Sequence, residues 1–108
     1  MHPEGLPAQA PIYPAEALSY ATATMERSAA ARQHCRVVAD LSFGPDGAQS
    51  LDVYHPLSPD TSGAPVLLFA HGGAWTNGYK EWMGLMAPAF TRANIVFVSV
   101  SYRLAPQH

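Results

Sequence analysis

The sequence predicts an α/β fold in which an antiparallel hairpin leads into a parallel βαβ unit. Three observations carry this. Residues 36–55 hold two short strands around the turn Gly44-Pro45-Asp46-Gly47, and Pro65–Ala70 is a continuous apolar run. Ile95–Val100 is a second, β-branched run, separated from the first by a helical stretch. Hairpin strands with one wet face alternate, whereas strands covered on both faces of a parallel sheet read as unbroken apolar runs.

The elements follow in order. Residues 1–13 contain Pro3, Pro7 and Pro11 and are expected to form an extended arm. Pro14 suits the first turn of a helix, where a fixed φ fits and a missing N–H costs nothing. From Ala15 to about Gln33 an alanine-rich stretch carries Leu18, Ala21, Met25 and Ala29 at helical spacing. That weak stripe suits a helix packed on the domain surface, with a cap over an active site as the sharper alternative. Arg36–Phe43 is expected as a strand, and the Gly-Pro-Asp-Gly turn reverses the chain. In Ser50–His55, Leu51, Val53 and His55 share one face and Asp52 and Tyr54 the other. Residues 56–63 form a polar loop. Pro65–Ala70 is expected as a strand covered on both faces. Tyr79 to about Arg92 is expected as a helix with Trp82, Leu85, Met86 and Phe90 on one side, kinked or broken at Pro88. Ile95–Val100 closes the unit with a right-handed crossover.

Composition narrows the function. Of 108 residues, 48% are apolar and 13% charged, which is globular composition. A net charge of −2 with no basic patch argues against nucleic acid as a partner. Cys35 is the only cysteine, so no internal disulfide forms, and it reads as a buried, inert thiol. The N-terminus lacks the apolar core of a signal peptide, and no run approaches the ~18 residues of a membrane span. No membrane partner is therefore expected, and the cytoplasm is the expected compartment. His2, His34, His55 and His108 share no metal-ligand spacing, and neither a metal nor a cofactor is expected.

The chemistry sits where the first apolar run meets a glycine turn, His71-Gly72-Gly73-Ala74-Trp75, and where the second ends in Ser101-Tyr102-Arg103-Leu104-Ala105-Pro106. Ligands of open α/β sheets bind outside the carboxyl ends of the strands, so both motifs occupy the correct edge. A glycine turn there leaves backbone N–H groups free, as an oxyanion hole requires, and a backbone that must approach substrate closely cannot carry Cβ atoms.

With those motifs, and with Phe43-Gly44-Pro45-Asp46-Gly47 followed by Leu51-Asp52-Val53-Tyr54-His55-Pro56, the chain resembles the α/β-hydrolase fold over about residues 36–108. The similarity is to the hormone-sensitive-lipase-like carboxylesterases and the kynurenine-formamidase-like enzymes. The resemblance implies that residues 14–108 are the N-terminal portion of a single, incomplete α/β-hydrolase domain, with its first four strands in the spatial order first, second, fourth, third. It implies that Gly73 and Ala74 supply oxyanion-hole N–H groups and that Gly72 allows the tight turn, with alanine at a position often glycine in the family. His71 and Trp75 are expected to support the loop or pocket. His71 would bond loop backbone rather than act as a base, because the family's base lies near the C-terminus. Trp75 would line an acyl pocket or pack under the loop. Asp52 and Arg103 invite pairing across neighbouring strands.

No G-x-S-x-G turn occurs, so none of the catalytic triad is expected in these residues, and the 108-residue chain alone is expected to be inactive. The expected function is serine hydrolysis of a small-molecule acyl ester. The alternatives are hydrolysis of an aryl-formamide amide, for which Ala87-Pro88-Ala89-Phe90 speaks, and a non-catalytic binding protein should the chain be complete. Oligomeric state is not predicted.

Overall fold

The computed structural model describes residues 6–9, 15–58, 60 and 62–108. Pro14 and most of the expected arm lie outside the described residues. The elements run α1 (Ala15–Ala31), β1 (Arg36–Ser42), β2 (Ser50–His55), β3 (Val66–Ala70), a 3₁₀ segment (Lys80–Met86), α2 (Ala87–Thr91) and β4 (Val96–Val100). No helix among them is long and apolar enough to cross a membrane.

One mixed sheet holds all four strands in the order β1-β2-β4-β3. β1 and β2 pair antiparallel, with Val38 opposite Val53 but Leu41 opposite Leu51, so β1 carries one extra residue. Asp40 lies in that irregularity at φ 60°, and its N–H donates to Asp52 Oδ1 at 2.8 Å. The bulge thus turns a backbone donor away from the ladder and onto a buried carboxylate. β2 pairs antiparallel with β4, and β3 parallel with β4.

β4 is the central parallel strand and is buried almost throughout. β3 differs from the expected two-sided burial. Val66 and Leu68 are each 63% exposed, while Leu67 and Phe69 pack inward. The Leu67–Phe69 face packs against the core, and no described element packs comparably on the Val66–Leu68 face.

The core gathers around Phe97. Its ring lies 5.5 Å from Phe90, 5.9 Å from Tyr54 and 6.4 Å from Phe69, centroid to centroid. Ala21, Cys35, Tyr79, Trp82, Met83 and Ala87 complete it.

The expected helix over 79–92 is two pieces. Pro88 stands in the first turn of α2, where its missing N–H breaks no bond, so the break precedes it at Met86/Ala87. The preceding 3₁₀ turns bury Trp82, Met83 and Gly84, while Leu85 and Met86 are half-buried. Three residues per turn present a different side from the one a 3.6-residue period selects. α1 keeps the expected stripe only in part, at Ala21 and, half-buried against the core, Met25. Ala21, Thr24, Ser28 and Ala31 are buried, whereas Leu18 and Met25 are half-buried and Ala29 is exposed. Small residues let α1 lie close to the 3₁₀ segment, where the Ser28 hydroxyl donates to Trp82 O (2.7 Å) and accepts from Leu85 N–H (2.9 Å).

Candidate active site

β3 and β4 run parallel, so Ala70 and Val100 end at the same edge of the sheet, and the chain leaves each strand into one of the two motifs. The two ends are tied together. The Tyr102 hydroxyl donates to the His71 carbonyl, and the two rings stack at 4.4 Å. Ala105 N–H donates to Trp75 O at 2.8 Å.

From His71 the backbone winds tightly. Gly73 has φ 149°, followed by Ala74 at 53° and Trp75 at 67°. A Cβ on Gly73 would overlap the Asn77 carbonyl, so only glycine fits. Thr76 and Asn77 N–H both donate to Gly73 O, at 3.2 and 3.0 Å, which closes the loop on itself. Among the described residues no acceptor meets the N–H of Gly72, Gly73, Ala74 or Trp75. Gly72 and Ala74 are exposed and Gly73 half-buried, so the unmet donors border solvent at the strand end.

His71 is buried, and its Nδ1 lies 2.9 Å from Gly72 O and 3.3 Å from the Tyr102 hydroxyl. Burial lowers its pKa, against the smaller opposing effect of the Gly72 carbonyl. The neutral ring with its proton on Nδ1 satisfies the bond to Gly72 O; that tautomer is inferred from the bond. The ring therefore braces the turn. Trp75 neither packs under the loop nor lines the cavity described below: its side chain is 82% exposed.

The expected pairing of Asp52 with Arg103 is not found. Asp52, fully buried, meets Lys80 Nζ at 2.9 Å and Arg32 at 3.5 Å, while Arg103 is exposed. Lys80 also meets Asp40 at 2.7 Å and Glu81 at 3.1 Å. Burial, the largest single effect, would lower the Lys80 pKa, but the hydrogen bonds Lys80 donates to Asp40 and Asp52 and the charges of Glu81 and Asp52 together outweigh it and raise it. The same ammonium lowers Asp40, and burial raises Glu81. Sequence reasoning missed Lys80. The signal was Asp52 itself, which alternation put beside Tyr54 on the face that is buried and which therefore needed a cation.

A cavity of about 650 Å³ opens beside the turn, walled by Gln9 of the arm, Asp40, Tyr79, Glu81, Tyr102 and Arg103. Among the described residues no group of three His, Cys, Asp or Glu side chains is placed to hold a metal ion.

Residues 51–108 match the family described as BD-FAE. A kynurenine formamidase from Salmo salar is 32% identical over 89 residues, covering 82% of this chain and 30% of that protein. Esterase LipC from Mycobacterium tuberculosis is 40% identical over 67 residues, 61% of this chain and 17% of the relative. The chain thus spans under a third of the length of these curated relatives. The solved structure of esterase B from Lactobacillus rhamnosis superposes with a TM-score of 0.63 at 19% identity, over 86% of this chain and 32% of that one, a likeness of fold.

Proposed function

Since the chain belongs to the BD-FAE family, of α/β-hydrolase type, we propose that it is part of a serine hydrolase of small acyl esters and that Gly72, Gly73 and Ala74 form its oxyanion-hole segment. The observation that carries this reading is a set of N–H groups, unmet among the described residues, on a tight turn at the carboxyl end of β3. When a nucleophile attacks an ester carbonyl, the oxygen gains negative charge. The N–H groups of Gly73 and Ala74, already fixed in place, stabilise that charge without reorganising. His71 and Tyr102 hold the turn, and Gly72 lets the backbone approach the reacting oxygen. The serine, histidine and carboxylate of the reaction would come from outside residues 1–108, since no serine here stands in a nucleophile turn.

In the protein carrying that triad, Ala74→Pro removes one donor and, because proline holds φ at about −65° where Ala74 stands at 53°, also displaces the turn. Loss of an oxyanion donor typically costs about 2.7–4 kcal/mol in the barrier, so kcat should fall ~10²-fold or more with a smaller change in KM. A variant folded by circular dichroism with unchanged kcat would remove the Gly73–Ala74 turn from the role.

A second reading has its own support: the kynurenine formamidases of Salmo salar and Danio rerio cover 82% and 71% of this chain. The same turn would then stabilise the oxyanion of a formyl amide. Comparing kcat/KM on a short-chain nitrophenyl ester and on N-formylkynurenine separates the two. The ester is expected to be preferred, and a higher value on the formamide reverses the assignment.

A further inference from the structure

The loop that carries the turn does not end at Trp75. It folds back so that Gly78, at φ 115°, lies directly on the His71 ring and the Gly72 carbonyl, where any Cβ would overlap both. Gly78 is buried, so its peptide groups need partners. Among the described residues one side chain supplies both. Gln9 Nε2 donates to Gly78 O at 2.7 Å, and Gln9 Oε1 accepts from Gly78 N–H at 2.8 Å. A primary amide thus pairs with both polar groups of a single glycine across 69 residues of chain, and the Tyr79 hydroxyl donates to Pro7 O at 2.5 Å beside it. Leu6, Pro7, Ala8 and Gln9 together also form one wall of the cavity.

We propose that Gln9 is a positioning residue for the glycine turn: by clamping Gly78 it fixes the surface against which His71 and Gly72 rest, and so aims the N–H groups of Gly73 and Ala74. This rests on the oxyanion reading for its consequence in catalysis, but not for the clamp itself. The side chain touches no reacting atom. Its effect runs from the amide to Gly78, from Gly78 to the His71 ring, and from there to the Gly72 carbonyl that His71 Nδ1 engages. Glutamine suits the task because one end must donate and the other accept.

The clamp is tested on the whole chain by amide hydrogen exchange and NMR. In Gln9→Ala the protection of Gly78 N–H should fall about tenfold or more, the Gly73 and Ala74 amide signals should move, and Val98 N–H in β4 should keep its protection. Gln9→Glu gives the second test. The carboxylate accepts from Gly78 N–H but cannot donate to Gly78 O, whereas its protonated form can do both. Gly78 protection relative to Val98 should therefore rise as the pH falls through the carboxyl range, a trend absent from the parent. Unchanged Gly78 protection in Gln9→Ala overturns the clamp. Lost protection with unmoved Gly73 and Ala74 signals overturns the positioning role, and so does an equal loss at Val98, which would make Gln9 a general stability contact. None of these outcomes bears on the acyl-hydrolase reading, which stands or falls on the kinetics of Ala74→Pro.

Discussion

Ala74 and Trp75 hold successive left-handed backbone conformations, a region that costs a residue with a Cβ of the order of 1–3 kcal/mol. That cost persists only because the loop around them is over-determined by the Gly73 carbonyl, the Trp75 carbonyl and the His71 ring. His71 gives this bracing a pH dependence. Its pKa is lowered on folding, so as pH falls through ~6.5 the unfolded chain binds a proton first. Its contribution is complete above that pH and is lost as pH drops towards the folded value. Urea unfolding should therefore show stability falling from pH 7.5 to 5.5, and falling less in His71→Gln. An identical slope in both proteins would exclude His71 as the source, leaving His55, which burial also lowers. Lys80 makes a larger demand. Lys80→Met would leave the fully buried Asp52 with only the 3.5 Å contact to Arg32 as a cationic partner. Breaking one side of a buried pair costs about 3–5 kcal/mol, and a lower urea midpoint at unchanged slope would report it. The double variant Lys80→Met with Asp52→Asn should recover part of the loss, and no recovery would mean that Lys80 acts through packing alone.

At the scale of elements, the hairpin and both parallel strands were legible because their signals are local. Ser50–His55 alternates within six residues, and the apolar runs declare themselves without reference to anything distant. The 3₁₀ segment was not legible, since Tyr79–Arg92 has helical composition and only docking against α1 and β4 selects three residues per turn. The α1 face was legible only in part, at Ala21, for a related reason. Hydrophobicity favoured Leu18 and Met25, but close approach to backbone rewards Ala21, Thr24, Ser28 and Ala31, which are small. β3 is the element most exposed to error in solution. Its outer edge has no strand beside it among the described residues, and Val66 and Leu68 present an uncharged, β-prone face. Such an edge templates pairing between chains. The 108-residue chain should therefore run as a mixture of oligomers in size-exclusion chromatography, and Leu68→Lys should shift it towards monomer. A monodisperse parent with one cooperative unfolding transition would sink this.

For the whole molecule, the glycine turn and the His71 ring that braces it were visible in the sequence, whereas the distant residues that hold it were not. The ligand edge followed from two strand ends, and the turn from Gly72-Gly73 after an apolar run. Its supports are Tyr102, which lies 31 residues on, and Gln9, 69 residues from Gly78. Contacts of that separation leave no periodic trace, because nothing local constrains where two distant side chains meet. Asp52's need for a cation was legible from its buried face, but that Lys80 supplies it was not, for the same reason.

The bond from Tyr102 to the His71 carbonyl also orders events in time. The turn's amino-acid sequence is complete at Trp75, but its brace arrives only when β4 has threaded in between β2 and β3 and delivered Tyr102 to the strand end. Closing a span of that length precedes the contacts that reward it. The local bonds to the Gly73 and Gly72 carbonyls need no distant partner, so it is the Tyr102 brace alone that the turn must await until β4 has docked.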